Sequence, residues 1–216
     1  IVSSLVYTCK KKKSTSYNFC YVKAMDVKSW IEGNVQKQTI YSNKISSDNN
    51  KKIYFAEPEK ISLQNRLTQS DTFGTKCIMW RGEEIGKNSD LIIDYKSTNC
   101  LPVVTGKEAR RYGLPLATKW IHEYDVEKSL GNYKHTKILI RQVGDCINAT
   151  IDDSMGVTTQ SVYSLYPKDK TEQKHLSALL GILNSKLFDF FYRLVSGDKQ
   201  MFKRIILENI KALPYP

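Results

Sequence analysis

Between Leu176 and Leu194 apolar side chains recur at a helical spacing, and this stripe constrains the chain more than any other feature. Leu176, Leu179, Leu180, Leu183, Leu187, Phe190, Phe191 and Leu194 fall at offsets of 0, 3, 4, 7, 11, 14, 15 and 18. At about 3.6 residues per turn these positions share one face. The spacing predicts a long amphipathic helix over 171–195 whose aromatic stripe must be buried against a core. Asp169, three residues before Glu172, offers an N-cap with a capping-box-like partner, and Gly197 offers a C-terminal stop.

The surface for that helix to cover lies upstream. Residues 77–80, 91–93, 101–104 and 138–140 are short apolar runs separated by Gly, Pro and Asn, and they read as strands. Residues 26–35 and 61–69 read as short helices, and 201–207 as a short strand carrying Lys203 and Arg204. Strands first and a long helix late predict an α+β fold: a mixed sheet followed by an amphipathic helix. A chain of 216 residues, 41% hydrophobic and 25% charged, is long enough to bury its own core. The five cysteines make no C-x-x-C pair, which suits a reducing cytoplasm better than a disulfide framework. The three histidines are scattered, so no metal site is expected. No apolar stretch is long enough for a membrane span.

Charge points to the partner. Thirty-three Lys+Arg against 22 Asp+Glu leave a net charge of +11. The excess is concentrated in residues 1–60, 99–145 and 196–216, and neutral core-rich segments separate these. That balance favours a polyanion, of which nucleic acid is the commonest. A basic protein-interaction domain is the alternative from another class, and salt dependence of duplex binding separates the two.

Catalytic signatures are missing. There is no glycine-rich phosphate loop, no nucleophile elbow, no zinc-protease motif and no Asp/Asn-Pro-Pro-aromatic loop. Glu172-Gln173-Lys174 has the E-x-K form of a nuclease strand but sits at a helix start. Asp152-Asp153 offers two carboxylates to a metal or, more simply, a polar turn beside Met155-Gly156. The chain therefore reads as one that binds and does not catalyse.

Several blocks, in order, carry a resemblance. Trp80-Arg81-Gly82-Glu83-Glu84-Ile85-Gly86-Lys87-Asn88 runs into Leu91-Ile92-Ile93-Asp94. Pro102-Val103-Val104-Thr105-Gly106-Lys107-Glu108-Ala109-Arg110-Arg111-Tyr112 follows, then Lys137-Ile138-Leu139-Ile140-Arg141 with Ala149-Thr150-Ile151-Asp152. Leu180-Gly181-Ile182-Leu183-Asn184-Ser185-Lys186-Leu187 and Leu213-Pro214-Tyr215-Pro216 complete the set. Together they resemble the C-terminal specificity domain of TaqI-like and Eco57I-like DNA adenine-N6 methyltransferases, some fused to a restriction nuclease. Ile85, Glu108 and Ala109 depart from that family's usual Thr, Asp and Ile.

The resemblance implies a DNA target-recognition domain over 31–216, preceded by a 1–30 remnant of an upstream methyltransferase domain. It implies double-stranded DNA as partner, a cytoplasmic setting, and S-adenosylmethionine in the parent protein but not in this fragment. A specificity-subunit module of a multi-subunit restriction system is the other reading of the same architecture. The DNA-contacting candidates are Arg81, Lys87, Lys107, Arg110, Arg111, Tyr112, Arg141 and Gln142, since Arg and Lys suit guanine or phosphate and Gln suits adenine. Gly82 and Gly86 are expected to let backbone approach a phosphate. Arg81 has a competing reading as an internal partner of Glu83 or Glu84, and Arg141 one as a buried structural cation. Because the chain carries neither a glycine-rich loop nor a Pro-Pro-aromatic motif, calorimetric titration with S-adenosylmethionine should give no stoichiometric complex.

Overall fold

The computed structural model describes residues 18–41, 71–86, 88–196 and 204–216. They belong to two compact units, Ile1–Ile61 and Ser62–Pro216. In the first, strand β1 (Asn18–Lys23) pairs antiparallel with β2 (Gln36–Tyr41). Between them lies helix α1 (Val27–Ile31), whose N-cap Asp26 accepts the Ser29 N–H at 2.7 Å. This hairpin runs across position 30, and the chain divides into its two compact units between Ile61 and Ser62. The helix expected over 61–69 lies outside the described residues.

The second unit holds two sheets. One is antiparallel with strand order β3-β9-β6-β7, built from β3 (Cys77–Arg81), β6 (Lys137–Arg141), β7 (Ala149–Asp152) and β9 (Val162–Pro167). The other has the order β5-β4-β8: β4 (Cys100–Val104) runs antiparallel to β5 (Trp120–His122) and parallel to β8 (Val157–Thr158). The α+β class holds. Residues 91–93 are not a strand. They turn, and Ile93 makes only an isolated bridge to Trp120.

Strand β6 explains how the unit is layered. It is central and buried on both faces, so its side chains divide by the period of two. Ile138 and Ile140 join the large core with Leu165, Leu176, Leu179, Leu183, Phe188 and Phe191. Leu139 points the other way and packs with Val104, Ala109 and Val162. Helices therefore cover one face, and the chain following β4 covers the other.

The helical segment after β9 is jointed. A 3-10 turn (Lys170–His175) leads into α3 (Leu176–Leu183), and α4 (Lys186–Ser196) follows a break at Asn184-Ser185. Asp169 caps the 3-10 turn by accepting the Thr171 N–H at 2.8 Å. Glu172 does not complete a capping box; its carboxylate accepts the Tyr215 hydroxyl at 2.6 Å. Ser185 restarts the helix by accepting the Phe188 N–H at 3.1 Å. The break shifts the buried stripe by one position: Phe188, Phe191 and Tyr192 are buried, while Leu187 is 56% exposed. Gly197 lies outside the described residues.

Of the strand expected over 201–207, residues 201–203 lie outside the described residues, and 204–207 form none. Arg204 makes an isolated bridge to Val143, and Leu207–Lys211 is helix α5, which buries Ile210. Near it Phe73, in the short helix α2 (Phe73–Lys76), is fully buried and meets Phe188 and Tyr215 edge-on. Among the described residues no helix is long and apolar enough to cross a membrane. Leu183 is fully buried where α3 meets the sheet. Leu183→Ala should therefore cost about 2–5 kcal/mol in chemical denaturation.

Candidate nucleic-acid interface

The cationic loop between β4 and β5 is built by local bonds. Thr105 starts a single helical turn: the Glu108 and Ala109 N–H groups donate to its carbonyl, both at 3.2 Å. The Glu108 carboxylate in turn accepts the Thr105 N–H at 2.9 Å and the Thr105 hydroxyl. This is a T-x-x-E cap, so glutamate serves here. The Gly106 N–H donates to Ser161 Oγ at 2.9 Å. Ala109, fully buried against Leu139, seats the loop on the sheet.

Arg110 and Gly113 then exchange two main-chain bonds of 3.1 Å, which puts Arg111 and Tyr112 at the corner. Tyr112 has φ of 59°, a left-handed conformation that costs a non-glycine residue about 1–2 kcal/mol. Something outside the loop must hold it there. The Tyr112 N–H donates to the Ala149 carbonyl at 3.0 Å. Arg111 Nη2 donates to the Asn184 carbonyl, and its guanidinium stands 5.7 Å from the Tyr112 ring centre.

Ala149 and Asn184 are joined in turn. The Ala149 N–H donates to Asn184 Oδ1 and Asn184 Nδ2 donates to the Ala149 carbonyl, both at 2.9 Å. The buried side-chain amide thus pairs with outer strand β7 as another strand would. Loop, sheet edge and helix joint meet at one point. The resulting surface presents Lys107, Arg110, Arg111 and Tyr112 to solvent, with Tyr112 58% exposed.

The other candidates fare differently. Arg81 takes the internal reading: Nε donates to the Gln160 carbonyl at 2.9 Å, Nη2 to Gln160 Oε1 at 3.2 Å, and Nη1 pairs with Glu84 at 3.1 Å. Gln142 is also engaged inside the protein, its Nε2 donating to Tyr163 Oη at 2.9 Å. Its main chain accepts the Ile205 N–H at 2.7 Å. Arg141 is half-buried, and strand alternation puts it on the Leu139 face with the loop. Lys87 lies outside the described residues.

Gly82 is a packing residue, not a phosphate cradle. A Cβ there would lie 2.3 Å from the carbonyl oxygens of both Thr158 and Thr159. Beside it the buried Glu83 accepts the Tyr133 hydroxyl at 2.7 Å, and burial together with that bond pushes the Tyr133 pKa well up.

Asp152 settles into the turn reading. Lys137 and Asp152 form an ion pair of 2.7 Å between two fully buried side chains. Asp152 also accepts the Gly156 N–H at 3.0 Å and the Ser154 N–H at 2.9 Å, and Lys137 donates to the Tyr133 carbonyl at 3.0 Å. Burial holds the Lys137 pKa below the usual ammonium value, against the pull of Asp152. Among the described residues no three His, Cys, Asp or Glu side chains group to hold a metal ion.

Asn184 and Ser185 were hidden in the sequence by the apolar stripe around them. The available signal was a polar pair inside that stripe, with Ser185 three residues before Phe188. Replacing Asn184 with Ala leaves the Ala149 N–H unpaired, while the Ala149 carbonyl keeps the Tyr112 N–H. It should destabilise the fold by about 1–3 kcal/mol, measured by chemical denaturation.

A family model described as the TaqI-like C-terminal specificity domain matches residues 101–215. Two solved structures are similar. One belongs to work on the complex assembly and conformational transition of the type I R-M system: 15% identity, TM-score 0.44, covering 70% of this chain and 38% of that one. The other is the HsdS subunit from Thermoanaerobacter tengcongensis: 14% identity, TM-score 0.40, covering 70% of this chain and 37% of that one. The chain thus spans well under half the length of either. A comparison with curated proteins found no match.

Proposed function

Since the chain belongs to the family of TaqI-like C-terminal specificity domains, we propose that it binds double-stranded DNA and recognises a target sequence for a restriction-modification system. The observation that carries this reading is the loop at 105–113. It holds Lys107, Arg110 and Tyr112 exposed on a base fastened to the sheet and to the helix joint. Exposed cations neutralise phosphates, and a rigid base keeps base-reading side chains in register.

The parent activity in this reading is adenine-N6 methylation, with the catalytic domain upstream in the same chain. The target adenine must leave the stack for that reaction, and the specificity domain holds the flanking duplex meanwhile. S-adenosylmethionine supplies the methyl group and belongs to the upstream domain. Co-purification with a separate catalytic chain would instead make the domain a module of a multi-subunit system.

Replacing both Lys107 and Arg110 with Ala should weaken binding and flatten the salt dependence by about two units, near 0.9 per lost phosphate contact. Melting temperature should hold, because both side chains are exposed. Fluorescence anisotropy with cognate and scrambled duplexes across a salt series is the measurement. Unchanged affinity on every duplex would remove this loop from the interface.

A further inference from the structure

Resting on the DNA-recognition reading, we propose that Arg111 is a positioning residue rather than a DNA contact. It holds the Tyr112 ring where that ring packs on a nucleotide of the bound duplex. Four observations lead there. First, Arg111 is exposed, yet its guanidinium is bonded to the protein itself: it donates to the Asn184 carbonyl at the C-terminal end of α3. Carbonyls at a helix C-terminus lack intrahelical partners and favour a cation. Asn184 cannot move to release it, because its buried side chain is bonded at both ends to Ala149.

Second, the same guanidinium stands 5.7 Å from the Tyr112 ring centre, within cation–π range. Third, Tyr112 keeps a left-handed φ of 59° with its N–H tied to Ala149. Glycine would hold that corner with less strain, so what tyrosine adds there is its ring. Fourth, the ring is presented: Tyr112 is 58% exposed, between exposed Arg110 and half-buried Gly113, with exposed Lys107 on the same loop. An aromatic face flanked by cations suits a nucleotide, which offers a π-face and a phosphate.

The chemistry separates the two adjacent arginines. Both are exposed, but Arg110 closes the turn only through its main chain. Arg111 works through the planar geometry of its guanidinium, one edge on a carbonyl and the group near a ring. Lysine replaces arginine well at a phosphate but not in that arrangement.

The test is a double-mutant cycle on the full chain, read by duplex affinity at several salt concentrations. Tyr112→Gly keeps the left-handed corner and removes the ring. It should leave the melting temperature unchanged or higher and weaken cognate binding about tenfold, without changing the salt slope. Arg111→Gln should weaken binding comparably, again with the wild-type slope. In the Tyr112→Gly background it should cost little more, because its effect passes through the ring. Arg111→Lys should lose nearly as much as Arg111→Gln, a comparison that holds even if Arg111→Gln lowers the melting temperature.

A direct phosphate contact predicts the opposite: Arg111→Lys near wild type, a slope about one unit flatter for Arg111→Gln, and losses that multiply with Tyr112→Gly. Those results would overturn the inference while leaving the DNA-recognition reading intact. Failure of the wild-type chain to bind any duplex would overturn both.

Discussion

An outer strand of a sheet presents main-chain donors and acceptors that must find partners once they are buried. β7 is such a strand, and at Ala149 its outward N–H and carbonyl are both taken by the side-chain amide of Asn184. A helix residue thereby supplies the pairing a further strand would have supplied. Asn184 does this from the break in the helix, as the C-cap of α3. Ser185 makes that break tolerable by capping the next helix. Everything proposed for the loop depends on this joint, since Arg111 reaches the Asn184 carbonyl and Tyr112 reaches the Ala149 carbonyl.

The sheet separates two tasks. Its helix-covered face carries the apolar mass of the unit, with Ile138, Ile140 and Leu165 against α3 and α4. Its other face carries the loop through Ala109 and Leu139. Polar groups buried nearby are paired: Lys137 with Asp152, Glu83 with Tyr133. An ion pair such as Lys137–Asp152 contributes little net stability against apolar replacements, but removing one partner strands a buried charge. This pair ties β6 to β7 and to the turn after β7.

Much of the fold was legible from periodicity. The helical spacing after residue 170 and the short apolar runs at 77–80, 101–104 and 138–140 correspond to observed elements: the helical period reports one buried face, and the unbroken run at 138–140 a strand buried on both. Periodicity failed where a tertiary bond replaced a local one. The stripe extrapolated through Leu187, yet Leu187 is exposed and Phe188 buried, because the Asn184 joint inserts one residue of phase. Residues 91–93 are apolar but turn, and 207–211 coil into a helix that buries Ile210 against the core.

Side-chain roles divide along the same line. Composition and residue type by themselves determined that the chain is a basic α+β protein, that a cluster of cations with a tyrosine follows β4, and that no glycine-rich catalytic loop is present. Those properties are local, and a linear sequence displays them directly. Only the tertiary structure decided which of the candidate side chains remain free. Arg81 and Gln142 are chemically suited to DNA, yet bonds to Gln160 and Tyr163 engage them within the protein. Arg111 is adjacent to Arg110 in sequence, but it alone meets a helix-end carbonyl 73 residues away. A side chain's availability depends on what the folded chain brings within hydrogen-bonding distance, and no local pattern of residue types records that distance.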